Sequence, residues 1–269
     1  MTCNSSENPE YGLVSVVTTT HNCAGFIGET IESLQAQTYR DWELLVIDDC
    51  SADNTVEIIE SYAKKDPRIH LVRLSIKGGR IFARNVGIKE ARGRYIAFCD
   101  CGDKWMPEKL KRQLKFMSEK GHYFTYTSFK TCNSKGKING YARCAPKIGR
   151  RRIITHNPIG TSTTVYDTLT TGKIYMPSLH QNEDLGLWID LISRFGAAYG
   201  LQEPLAVIRS KSLISKAENR GSFKDKFNVY HKHLKYNNIL SVILLAGISM
   251  PCSVFDQLKR KTAYLTRRN

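Results

Sequence analysis

The stretch Leu13 to Asp49, LVSVVTTTHNCAGFIGETIESLQAQTYRDWELLVIDD, sets the fold class. Leu13–Thr19 and Trp42–Ile47 are short apolar runs rich in β-branched residues, the pattern of strands buried on both faces. Between them Phe26, Ile27, Ile31 and Leu34 recur at helical spacing and form one apolar stripe. A strand, a helix and a second strand within about 40 residues make a βαβ unit, whose strands lie parallel in one sheet.

Working outward, the same alternation continues. Ile69–Leu74 and Tyr95–Cys99 read as further strands, Val56, Ile59 and Tyr62 as a second helical stripe, and Gly79–Ala91 as a third helix. Asn54 and Glu57 have the spacing of a capping box, which predicts that the second helix opens just after the Asp-rich segment. Ligands of open α/β sheets bind beyond the carboxyl ends of the strands, here near Thr20, Asp48 and Asp100. Carboxylates there suit a nucleotide and a divalent cation. Lys77-Gly78-Gly79-Arg80 lacks the GxGxxG pattern and follows the third strand, so a dinucleotide is not expected.

Beyond Asp103, Glu108–Ser118 reads as a helix, Tyr123–Thr131 as a strand, and Lys135–Arg152 as a basic loop region, either a solvated surface or a contact for acceptor or lipid. Leu185, Trp188, Ile189 and Ile192 mark a helix that begins at Glu183 and Asp184. The safer reading of Trp188 is core packing.

The 269 residues carry a formal net charge of +15, unevenly placed. Residues 1–103 hold 11 basic and 15 acidic side chains, and residues 104–269 hold 29 and 10. A polyanionic partner would therefore meet the second half, although the chain lacks the basic motif with interleaved exposed aromatics that would point to specific nucleic-acid binding. The segment from Ser210 contains an apolar run, Ile239–Met250, flanked by Lys and Arg. That run is shorter than the roughly 20 residues of a spanning helix, leaving an in-plane amphipathic anchor and a helix packed on the domain as the two readings. Eight cysteines without CxxC pairing read as reduced thiols of a cytosolic protein, and the N-terminus has no export signal.

Three segments in order, VSVVTTTHNCAGFIGETIESLQAQTYRDWELLVIDDCSADNT (14–55), GGRIFARNVGIKEARGRYIAFCDCGDKWMPEKL (78–110) and NEDLGLW (182–188), resemble the family-two glycosyltransferases over about residues 12–209. The chain looks closest to the bacterial enzymes that build teichuronic acid and similar surface polysaccharides. The resemblance implies a GT-A fold, the nucleotide-diphospho-sugar transferase fold, with a Rossmann-like, mixed, mostly parallel sheet flanked by helices. It implies a disordered N-terminus (1–11), a catalytic domain (12–209) with a nucleotide-sugar-binding half (12–105) and an acceptor half (106–209), and a basic helical tail (210–269) as a candidate membrane-surface anchor.

It further implies an inverting, hexosyltransferase-type enzyme that takes a UDP-sugar and a glycan or polyprenyl-linked acceptor at an anionic membrane surface, on the cytoplasmic side. Thr18, Thr20, Asn22, Asp48 and Asp49 would hold uracil and ribose, and Arg84 the diphosphate or the ribose side. Asn85 would brace a turn. Asp100 and Asp103 would hold Mn²⁺ or Mg²⁺, and Asp100 also the nucleotide. Asp184 would be the general base, with Glu183 orienting the acceptor or the base, and the dipole of its helix would favour the ionised carboxylate. The chain departs from the family's Asp-x-Asp-Asp pattern, because Asp100-Cys101-Gly102-Asp103 has glycine at the third position. The alternative is therefore a non-catalytic nucleotide-sugar-binding or scaffold relative with an impaired metal site.

Overall fold

The computed structural model describes residues 11–155, 157–179, 183–209, 227, 229–235 and 241. Its elements run β1 (Val14–Thr20), α1 (Ile27–Gln35), β2 (Trp42–Asp48), α2 (Thr55–Ala63), β3 (Ile69–Arg73), α3 (Gly79–Glu90), β4 (Tyr95–Phe98), β5 (Lys104–Trp105), α4 (Lys109–Lys120) and β6 (Phe124–Cys132). They continue with β7 (Ile138–Ala142), β8 (Lys147–Gly149), α5 (Arg150–Thr155), β9 (Val165–Asp167), α6 (Thr168–Thr171), α7 (Glu183–Phe195) and β10 (Ala197–Arg209). The central order is β3-β2-β1-β4-β9-β6-β10-β5. Strands β3, β2, β1 and β4 are parallel neighbours, whereas β9 runs antiparallel between β4 and β6.

Side chains alternate across each strand, so one run of residues feeds two cores. Val14, Val16, Leu44, Val46, Tyr95 and Ala97 face Ile27, Ile31 and Leu34 of α1 and Leu110, Leu114 and Met117 of α4. Val17, Leu45, Ile47, Ile96 and Phe98 face Ala83 and Ile88 of α3 and Leu185, Trp188 and Ile192 of α7. The mixed sheet is covered by helices on both sides. Trp188 is fully buried and packs against Phe98 and Phe124, so the aromatic is a core residue as expected.

Several local expectations change. Phe26 does not join the buried stripe of α1; it precedes the helix and is exposed. Asn54 makes no side-chain cap on α2. Asp53 does so instead, accepting from the backbone N–H and hydroxyl of Thr55. Residues 135–152 are not one loop, because β7 pairs with β6, β8 pairs with β10, and α5 follows. The buried Ala142 and Ile148 between charged neighbours give that segment an inward face. A pairing partner far along the chain, β10, makes it a strand, which short-range reading cannot see.

The disordered segment 1–11 is expected to end at Tyr11, and only that residue of it is described. Most of the tail, including nearly all of Ile239–Met250, also lies outside the described residues. Its described turn, Val229–His233, meets the domain: Val229 is buried in the core on the α7 side, and His233 lies 3.0 Å from Asp190. Among the described residues no helix is long and apolar enough to cross a membrane.

Candidate active site

The carboxyl ends of β1, β2 and β4 place Thr20, Asp48 and the Asp100 turn along one edge of the sheet, as parallel pairing in register requires. Here the hydroxyls and carboxylates divide their tasks. Thr18 is buried and its hydroxyl donates to the Cys99 carbonyl at 2.7 Å, joining β1 to the end of β4. Among the described residues the buried Thr20 hydroxyl has no partner, an uncommon condition for a buried polar group. Asn22 adopts φ 51° and accepts from Ala52 N–H, linking the turn after β1 to the turn after β2. Asp48 closes its own turn by accepting from the Ser51 N–H and hydroxyl.

Asp49 accepts from the N–H groups of Gly78 and Gly79 at 2.7 and 2.9 Å, which caps the start of α3. Its backbone carbonyl receives the Nδ1–H of His21, leaving Nε2 to accept from Lys77 at 2.9 Å. Asp49 thereby pins the Lys77-Gly78-Gly79 segment through both its side chain and its main chain.

Arg84 and Glu183 are the buried centre of the site. Arg84, 3% exposed, donates from Nη2 to Asp100 at 2.5 Å and from Nη1 to Glu183 at 3.0 Å. Arg80, one turn earlier on α3, donates from Nε to the same Glu183 oxygen at 2.6 Å. Burial works against the Arg84 charge, but Asp100 and Glu183 outweigh it and hold the guanidinium above its ordinary pKa. In this arrangement Arg84 is occupied by carboxylates and positions them. Asn85 braces the chain from its other side: its amide donates to the Met176 carbonyl and its oxygen accepts from Met176 N–H.

Asp184 is half-buried in the first turn of α7, where its carboxylate accepts from Leu185 N–H at 2.7 Å and from the Thr161 hydroxyl at 3.2 Å. The helix dipole was expected to keep it an ordinary carboxylate. Burial instead raises its pKa, with the neighbouring Glu183 adding to the rise and Arg84 opposing it. Desolvation of an ion in a low-dielectric setting exceeds the effect of a helix terminus.

The Asp100 turn bears on metal binding. Asp100 has a side chain 38% exposed at the sheet edge. Gly102 occupies φ +92°, a conformation side chains rarely adopt, so a carboxylate at this position would be strained on this backbone. Asp103 is buried, one carboxylate oxygen accepting from the Ser162 hydroxyl at 2.5 Å and the other from Arg209 N–H at 2.8 Å. Among the described residues no three His, Cys, Asp or Glu side chains cluster as a metal site. Mg²⁺ is commonly held by one or two carboxylates with substrate phosphates and water completing the shell, and Asp100 fits that arrangement. Asp103 joins it only by giving up Ser162 and Arg209.

The expectation of eight reduced thiols is corrected at Cys23 and Cys101, which form a disulfide across the turns after β1 and β4. Neighbouring parallel strands bring these turns together although they are distant in sequence. Sequence reading also missed Thr161 and Ser162, whose hydroxyls reach Asp184 and Asp103. Their signal was the small hydroxyl run Gly160-Thr161-Ser162-Thr163-Thr164, a 3₁₀ turn before β9.

The family described as "Glycosyl transferase family 2" matches residues 15–176. A Bacillus subtilis protein named putative teichuronic acid biosynthesis glycosyltransferase TuaG is 36% identical over 198 residues, covering 73% of this chain and 79% of that one. The Escherichia coli protein WfaP, named a UDP-Glc:α-D-GlcNAc-diphosphoundecaprenol β-1,3-glucosyltransferase, is 33% identical over 182 residues, with 68% and 71% covered. Among solved structures, Staphylococcus aureus TarS residues 1–349 with UDP-GlcNAc aligns with TM-score 0.65 at 24% identity, covering 87% of this chain and 71% of that one. The mannosyltransferase PcManGT from Pyrobaculum calidifontis, with GDP-Man and Mn²⁺, aligns with TM-score 0.66 at 15% identity, covering 92% and 75%. These likenesses give the GT-A fold expected above, and the chain belongs to the family-two glycosyltransferases.

Proposed function

We propose that this glycosyltransferase moves a sugar from a UDP-linked donor, with inversion, onto a hydroxyl of a growing surface polysaccharide or a polyprenyl-diphosphate-linked acceptor. One observation carries the reading: the buried Arg84 holds Asp100, at the donor end of β4, and Glu183, beside Asp184, on a single guanidinium. In this reading the Arg84 contacts hold the donor site and the base relative to each other. The Thr20 hydroxyl, without a partner among the described residues, supports a ligand at the ends of β1 and β2. The activity for which WfaP is named and the UDP-GlcNAc bound to TarS support a UDP-sugar, and the name of WfaP supports a lipid-linked acceptor.

In this reading Asp184 accepts the proton of the acceptor hydroxyl as that oxygen attacks the anomeric carbon, and its raised pKa makes it a stronger base than a solvated carboxylate. Thr161 orients the carboxylate. Glu183, engaged by two arginines, keeps the head of α7 in place. A divalent cation at Asp100, Mn²⁺ or Mg²⁺, would supply neutralising charge to the diphosphate leaving group. Peripheral placement on the cytoplasmic face of an anionic membrane belongs to the same proposal, supported by the excess of basic residues after residue 103.

The test is UDP release from a panel of UDP-sugars, with membrane lipid extract as acceptor and with Mn²⁺ or Mg²⁺ against EDTA. Release that stops in Asp184→Asn supports the reading. UDP binding without release from any donor replaces it with a non-catalytic binder, the outcome that Gly102 and the engaged Asp103 would then explain.

A further inference from the structure

Cys23 and Cys101 sit on turns that are each part of the donor edge. Cys23 follows Asn22 in the turn after β1, and Cys101 lies between Asp100 and Gly102. Their Cα atoms are 6.8 Å apart across the disulfide, and 78 positions separate them in sequence. Both residues are half-buried and so open to a small thiol, whereas Cys99, Cys132 and Cys144 are buried free thiols. Cys50 is a half-buried free thiol whose Sγ donates to the Leu74 carbonyl.

Apart from the disulfide, the two turns rest mainly on different groups, and non-covalent ties join them: Arg209 lies over the Phe26 ring of the Cys23 turn while donating to the Gly102 carbonyl, and Thr30 of α1 accepts from Gly102 N–H. The Cys23 turn leans on the loop after β2, with Cys23 N–H donating to the Thr55 hydroxyl at 2.8 Å and Ala24 N–H to Asp53 at 3.1 Å. The Asp100 turn is held by Arg84, by the Ser162 hydroxyl at Asp100 N–H, by the Thr30 hydroxyl at Gly102 N–H and by Arg209 at the Gly102 carbonyl. Opening the disulfide therefore leaves each turn folded while removing the covalent link between them.

We propose that Cys23 and Cys101 are a redox modification site that sets how tightly the donor nucleotide is held, a proposal that rests on the donor-site reading above. A reducing thiol attacks one sulfur, forming a mixed disulfide and releasing the other cysteine as a thiol. A second reducing thiol attacks the reductant's sulfur in that mixed disulfide and expels the remaining cysteine as a thiol, so the S–S bond of the protein is exchanged for one in the oxidised reductant, and the two cysteines take up two electrons and two protons. An oxidised small-molecule disulfide reverses the exchange. With the bond closed, the turn bearing Asn22 and the turn bearing Asp100 are already fixed at the separation the nucleotide meets. With it open, only the weaker non-covalent ties through Arg209 and Thr30 remain, the two turns gain freedom relative to each other, and the ordering that binding then requires is subtracted from affinity.

The test uses the full chain, equilibrated with oxidised glutathione or with dithiothreitol and then freed of either, in Mg²⁺ buffer. UDP affinity is measured by calorimetry, and iodoacetamide labelling is read peptide by peptide. Reduction is expected to open Cys23 and Cys101 to labelling and to weaken UDP binding roughly tenfold. Cys23→Ser and Cys101→Ala should show the weaker affinity in both conditions, and Cys50→Ser should respond as the parent does. Labelling of Cys23 and Cys101 that ignores the reductant, equal UDP affinity in both states, or a response retained in Cys23→Ser would each overturn the proposal alone. Absence of UDP binding in both states would overturn the donor-site reading and this proposal with it.

Discussion

Arg84 Nη1 lies 3.0 Å from Glu183 Oε1, and both side chains are almost completely withdrawn from solvent. The contact joins the middle of α3 to the first residue of α7. A buried charge pair is held in place by mutual dependence: removing one partner leaves the other unpaired, which costs about 3–5 kcal/mol.

Arg84→Met should therefore lower the unfolding free energy by about 3–5 kcal/mol in urea titration, since Arg80 alone remains on Glu183. Arg84→Lys keeps the charge but not the fork that reaches both carboxylates, so it should recover part of the stability and little of the sugar transfer.

Asp184→Asn should remove turnover while raising stability near neutral pH. The sign follows from the raised pKa of the folded state. Between the unfolded and folded pKa values the native chain binds more protons than the unfolded one, so Asp184 contributes stability at low pH that is lost as pH rises through the folded pKa. Asparagine is not subject to that loss. In the parent enzyme the acidic limb of kcat/KM against pH should lie above the usual carboxylate range, because the base must be ionised to act. Thermal unfolding at pH 7.5 and a rate profile check the two halves separately.

Lys109 is fully buried over the Trp105 ring, donates to Gln113 at 2.8 Å, and has its pKa lowered to about 7, chiefly by burial. Above that value the unfolded chain binds the extra proton, so stability should rise with pH between about 7 and 10.5. Lys109→Met should flatten that slope in denaturant titrations across the interval, whatever its effect on absolute stability.

Gly102→Asp writes the family's missing carboxylate back into the turn. At φ +92° an L side chain is strained, by roughly 1–3 kcal/mol, and its Cβ would sit 3.6 Å from Arg209 and Phe26. The variant should melt at lower temperature than the parent and should not tighten the Mn²⁺ or Mg²⁺ dependence of UDP release. A metal titration of initial rate settles the second point.

The succession of βα units, the parallel strands of the first hundred residues and the head of α7 were legible because they rest on periodicity and on residues close in sequence. Strand bounds shifted by only one residue at β1, from the expected Leu13–Thr19 to Val14–Thr20. Motif order was also legible, and through the family resemblance it singled out Asp100, Glu183 and Asp184 as site residues. Tertiary structure decided their occupations. Asp103 turns to Ser162 and Arg209, Asp49 caps α3, and Arg84 is bound by two carboxylates because partners 16 to 106 positions away arrive at the same point. The disulfide and the strands within 135–152 have the same origin. Sequence by itself determined the elements that rest on local propensity and apolar spacing. Only the packed chain determined which polar atom each charged side chain would satisfy, since a buried charge is governed by the groups surrounding it in space.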